Sequence, residues 1–169
     1  MRIHAAKVPQ IAAEMVNALV SGKDIECEAP KEVQLDVEAV LHQYIRDEEE
    51  VSTKARDLAQ ARSLPSTDLG KLKKLIADQR KFKLGDDAVD YILDQLVEML
   101  MHSHNVEEIF AEDYELRRKM REPLRRQVTA EEELQAEVRQ RLKHVQEGTS
   151  LWEVEYRRMM DDIKRRKGL

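Results

Sequence analysis

The chain has 169 residues, enough for one ordinary domain or two small ones with a sizeable core. Charged residues make up 37 % and aromatics 4 %, with five glycines and four prolines, a balance that fits long amphipathic helices and excludes a β-sandwich or barrel. A formal net charge of −5 argues against generic adhesion to nucleic acid or anionic membrane but leaves room for a local basic stripe.

An all-α fold is therefore expected. The single cysteine, Cys27, excludes an internal disulfide and a cysteine-based zinc site, and it fits a reducing compartment. No apolar run approaches the ~18 residues needed to span a bilayer. Lys7, Pro9 and Glu14 interrupt the first segment, which lacks the uniform apolar stretch of a signal peptide. A cytoplasmic protein is the expectation.

Taken in chain order, the first predicted element is a helix over Lys7–Val20, with Val8, Ile11, Met15 and Leu19 on one face. Displaced by 81 positions, Val89, Ile92, Leu96 and Leu100 repeat that face, and Val16 falls on Val97. Asp24-Ile25-Glu26 falls on Asn105-Val106-Glu107 in an extended connection. The displacement then becomes 83 along a long charged helix: Val37, Leu41 and Ile45 fall on Met120, Leu124 and Val128, and Glu48–Val51 on Glu131–Leu134. A breaker follows in each half, Pro65 and Gly148. After it the displacement is 84, so that Lys73-Lys74-Leu75-Ile76 matches Arg157-Arg158-Met159-Met160.

The ordered matches predict a tandem duplication. Each unit has helix A, a short extended connection, a long helix B and helix C, with units at 1–85 and 86–169 that could also pack as one pseudo-symmetric domain. Asp86-Asp87 after Gly85 marks the fresh start. Two capping boxes are expected, at Thr129–Glu132 and Ser150–Glu153, the first restarting helix B after a break at Pro123.

The run Glu147-Gly148-Thr149-Ser150-Leu151-Trp152-Glu153-Val154-Glu155-Tyr156-Arg157-Arg158 resembles the closing signature of a bacterial family designated domain-of-unknown-function family 507. Ile11–Leu19 and Leu96–Ser103 are similar to longer, two-unit members of it, so the resemblance covers essentially the whole chain. It implies no activity. In the first unit Asp68 stands where Trp152 stands, and Leu72 where Tyr156 stands, so a contact surface marked by the signature would be lost there.

Candidate functional residues fall into three groups. Arg117, Arg118, Arg121, Arg125 and Arg126 crowd the second helix B and suggest an anionic partner such as structured RNA, gripped through phosphates. Trp152 and Tyr156 share a helix face continued by Met159, Met160 and Ile163. Such a stripe packs a core, or with Arg157 and Arg158 it offers a surface to a partner helix. His102 and His104 raise a metal-dependent enzyme as a third reading, but positions i and i+2 point to different sides of a helix, and a histidine near a helix C-terminus favours the free carbonyls and the dipole. No His-Glu-x-x-His motif, phosphate loop or nucleophile elbow occurs. The sequence thus predicts a non-enzymatic protein without cofactors. It would bind a macromolecule, first a protein and alternatively RNA or the ribosome, with a homodimer open and no membrane contact.

Overall fold

The computed structural model describes residues 3–168 and is all-α, apart from one pair of two-residue strands. Its elements are α1 (Val8–Ser21), β1 (Ile25–Glu26), α2 (Pro30–Ala61), α3 (Leu69–Gln79), α4 (Ala88–His102), β2 (Glu108–Ile109), α5 (Asp113–Arg141) and α6 (Ser150–Lys167). Single turns of 3-10 helix at Ala5–Lys7, Ser66–Asp68 and Gly85–Asp87 lead into α1, α3 and α4. Gly85 has φ 64°, a left-handed conformation that suits glycine after the end of the first half.

The chain divides into two compact units between Gln127 and Val128. In the first, one continuous core takes residues from α1, α2, α4 and the first part of α5. The sequence registers describe it closely. Ile11, Met15, Val16 and Leu19 are buried, and so are Ile92, Leu96, Val97 and Leu100. Val33, Val37 and Leu41 are fully buried, as are Leu116, Met120 and Leu124 at displacement 83. Each such side chain contributes about 1.5–3 kcal/mol relative to exposure, which is why these stripes override a sequence rich in charge. One match departs from the pattern: Val89, aligned with Val8, is half-buried, and Ala88 takes the buried place.

Contacts between the halves of this unit are reciprocal. The strands pair antiparallel, Ile25 with Ile109 and Glu26 with Glu108. Asp24, in the turn after α1, is held by Lys119 of α5. Asn105, in the turn after α4, is held by Asp36 of α2 through its side-chain amide at 2.9 Å. Those residues correspond at the displacements 81 and 83. A Cβ at Gly22 would meet the Lys119 ammonium and the Asp24 carboxylate, so a side chain there would have to displace their ion pair. At the matching place in the second turn, Ser103 instead donates its hydroxyl to Asp36 at 2.5 Å.

The second unit is built on the last part of α5 and on α6. Leu134, Val138, Leu142, Met160 and Ile163 form its core, with Trp152, Tyr156 and Met159 packed against them.

The compact division at 127/128 does not coincide with the repeat boundary at 85/86, because α4 and the start of α5 share a core with α1 and α2. Two local expectations are corrected. Pro123 does not break helix B: α5 runs through it uninterrupted, and Thr129 starts nothing. Pro123 is itself buried between turns that bury Leu116, Met120 and Leu124, and this packing outweighs one missing hydrogen bond. The start of α6 lies one residue early, since Thr149 is the N-cap and its hydroxyl accepts from the Trp152 N–H at 3.2 Å. Asp87 does occupy the N-cap position of α4, without a side-chain hydrogen bond.

Candidate functional site

The basic residues of α5 sort into paired and unpaired ones. Its first part lies beside α4 and α1, whose outward positions carry carboxylates. Arg117 pairs with Asp94, Arg121 with Asp90 at 2.6 Å, and Arg126 with Glu14 at 3.0 Å. These three bind helix to helix within the unit. Arg118 and Arg125 are exposed and make no ion pair with another described residue. Tyr114, four residues before Arg118, is 67 % exposed and shares that outer face.

In α6 the capping threonine fixes the helix start, and the helical period then separates two faces. Trp152 and Tyr156 turn inward, stacked at 4.8 Å between ring centroids, against the core of the second unit. Leu151 and Val154 turn outward at 62 % and 63 % exposure. Val154, Arg157, Arg158, Asp161, Asp162 and Arg165 line a shallow groove of about 330 Å³ along that side. Sequence reasoning named the aromatic pair and the two arginines but passed over Leu151 and Val154. Their spacing of three was visible, but nothing in the sequence said which of two apolar stripes the core would take.

The histidines stand apart in role. His102 is the last residue of α4, with its ring Nδ1 2.9 Å from the Glu98 carbonyl oxygen and 3.5 Å from the Glu98 carboxylate. It caps its own helix. His104 is exposed in the following turn. Among the described residues, no group of three or more His, Cys, Asp or Glu side chains is placed to hold a metal ion.

A further groove, of about 370 Å³, lies between α2 and α4. Val40, Tyr44, Ile92 and Met99 form its apolar part, and Gln43, Asp47, Tyr91, Gln95, Glu98 and His102 its polar part. The floor is stiffened by an aromatic trio: Phe82 lies 4.9 Å from Tyr44 and 5.3 Å from Tyr91, centroid to centroid. Tyr44 donates its hydroxyl to the Lys83 carbonyl at 3.2 Å. Burial pushes the pKa of both tyrosines up, and carboxylates add to it, Glu48 for Tyr44 and Asp47 for Tyr91. Cys27, half-buried, also has its thiol pKa raised by burial and then by Glu107, so it is held as the unreactive thiol. Among the described residues, no helix is long and apolar enough to cross a membrane.

The sequence pattern of the family described as "Protein of unknown function (DUF507)" matches residues 1–169, and the chain belongs to that family. A search of curated proteins finds no match to the chain.

Proposed function

We propose that this chain is a non-enzymatic binding protein that acts in a reducing compartment, the cytoplasm, and engages another protein through the outer face of α6. One observation carries the reading. Leu151 and Val154 stand about two-thirds exposed on a helix whose opposite face already buries Met160 and Ile163 and seats the Trp152–Tyr156 stack. Apolar side chains not used by the fold, beside Arg157 and Arg158, have the make-up of an interface core with a polar rim. Trp152 and Tyr156 then support the docking helix instead of reaching the partner. We read the reciprocal contacts of the first unit as the product of tandem duplication, with the second helix C specialised for binding.

The test is capture by the tagged full-length protein from an extract of its source cells, with nuclease present. One stoichiometric protein is expected to stay bound, and to be lost with Leu151→Glu/Val154→Glu while the fold is kept. Recovery of no protein, or equal recovery by the variant, contradicts the reading.

A second reading, contact with structured RNA, is favoured by one observation: Arg118 and Arg125 find no carboxylate partner among the described residues on the exposed face that Tyr114 begins. Such binding would fall steeply with salt and would be abolished by Arg118→Glu/Arg125→Glu. Nuclease-resistant capture that this variant leaves unchanged counts against it.

A further inference from the structure

We propose that the groove between α2 and α4 binds a guanidinium group, presented by a small guanidino compound or by an arginine of a peptide. The groove is lined by two carboxylates, Asp47 and Glu98, by the amides of Gln43 and Gln95, by the Tyr91 ring and by His102 beside Glu98, and no lysine or arginine lines it. Asp47 accepts one hydrogen bond, from Gln43 at 2.9 Å. Its other oxygen has only acceptor capacity to offer. A planar cation with several N–H donors matches these carboxylates and can lie against an aromatic face. The volume of about 370 Å³ leaves room for an alkyl stem behind such a head.

The other half of the unit points to the same ligand. At the displacements 83 and 81, Gln43 corresponds to Arg126 and Gln95 to Glu14. Those two residues form an ion pair at 3.0 Å between α5 and α1. One pair of helices is thus bridged by the protein's own guanidinium. The matching pair, α2 and α4, has glutamines at those two positions and carries extra carboxylates at Asp47 and Glu98; His102 stands 3.5 Å from Glu98, and Arg46 donates to the Gln43 amide oxygen at 2.7 Å without lining the groove. The Tyr44–Phe82–Tyr91 cluster holds this second pair in place through ring contacts, and no lysine or arginine lines the groove beside Asp47. A guanidinium from outside completes what Arg126 completes within.

The experiment is a titration of the full-length, isotope-labelled protein with agmatine, followed by amide chemical shifts, with sodium chloride at matched ionic strength as the control. Saturable shifts confined to 40–47 and 91–102 are expected. Asp47→Asn/Glu98→Gln, both surface changes, should weaken agmatine about tenfold or more, the scale of charge-assisted hydrogen bonds. A second variant, Gln43→Arg/Gln95→Glu, copies the Arg126–Glu14 pair and should fill the groove and abolish the response. A short peptide with one central arginine distinguishes the sources. Binding as tight as agmatine's assigns a protein ligand, and refusal assigns a free guanidino compound. Shifts that do not saturate, affinity unchanged in the Asn/Gln variant, or equal binding of spermidine would each overturn the proposal.

Discussion

Ala55 and Ala59 on α2 meet Leu72 on α3, whereas at matching positions Val138 on α5 and Leu142 just after it are clustered with Met160 and Ile163 from α6. The register is shared and the anchoring differs. Beyond its small alanine-rich contact, α3 is tied into the main core: Ala77 and Phe82 belong to that core, and Ile76 packs against both clusters. At displacement 84 the residues in those two places are Asp161 and Arg166, both exposed. With charge where α3 has apolar anchors, α6 relies on larger side chains facing α5 and on the Trp152–Tyr156 stack. Ala77 and Phe82 thus tie α3 and the chain after it to the core of the first unit, whereas Asp161 and Arg166, in the corresponding places, are exposed and add nothing to a core. On the outer side of α6, Leu151 and Val154 remain exposed.

The comparison breaks if the matched anchors prove equivalent. Phe82→Ala removes the ring on which Tyr44 and Tyr91 rest and should cost about 3–5 kcal/mol in denaturant unfolding, while Arg166→Ala should stay within about 0.5 kcal/mol. Similar costs for the two would undo the distinction. Next in size, Leu142→Ala should cost about 2–5 kcal/mol, and the loss should be local. Amide spectra should show residues 134–163 disordered while α1, α2 and α4 keep their native shifts.

A smaller effect sharpens the reciprocity of the two turns. Lys119→Met leaves the buried Asp24 carboxylate without its cation and should cost about 1–2 kcal/mol, reduced from a fully buried pair because the lysine side chain is 29 % exposed. Asp36→Asn keeps a hydrogen-bond acceptor for Ser103 and Asn105 and should cost less than about 1 kcal/mol. Thermal melting of the two variants in parallel measures the difference.

The smallest effects distinguish the regions by pH. Glu137 on α5 has its carboxyl pKa lowered, first by a hydrogen bond from Lys167 at 2.9 Å. Its folded pKa lies below the unfolded one, so the stabilisation is present above the ordinary glutamate value and fades as pH falls through the lowered one. Lys167→Ala should flatten that acid dependence slightly in the second unit, and added salt should do the same. Tyr91 behaves oppositely. Burial and then Asp47 raise its pKa, so its contribution is present below the ordinary tyrosine value and lost as pH rises through the raised one. Tyr91→Phe should reduce the alkaline sensitivity of the first unit.

Much of the fold was legible in the sequence because burial recurs at fixed displacements. The stripes Ile11–Leu19 and Ile92–Leu100 are period-3.6 patterns that only a helix face satisfies, and the short extended links stand out between them. The unit boundary was not legible, since it depends on whether residues such as Ala77 and Phe82 find a neighbour far along the chain. The passage of α5 through Pro123 was hidden for the same reason: local propensity predicted a break, and tertiary burial prevailed. At the candidate sites the arginine cluster was visible, but its division into paired Arg117, Arg121 and Arg126 and unpaired Arg118 and Arg125 depends on carboxylates of α1 and α4. The groove between α2 and α4 had no signature at all, because glutamines and scattered carboxylates gain meaning only when two helices bring them together.

Native-state hydrogen exchange, read residue by residue, tests the division most directly. Amides of α6 and of residues 134–141 should open together, at a lower free energy than those of α1, α2 and α4, with α3 opening alongside the first unit. A single opening free energy shared by α3, α6 and the first core, or α3 opening together with α6, would contradict the account.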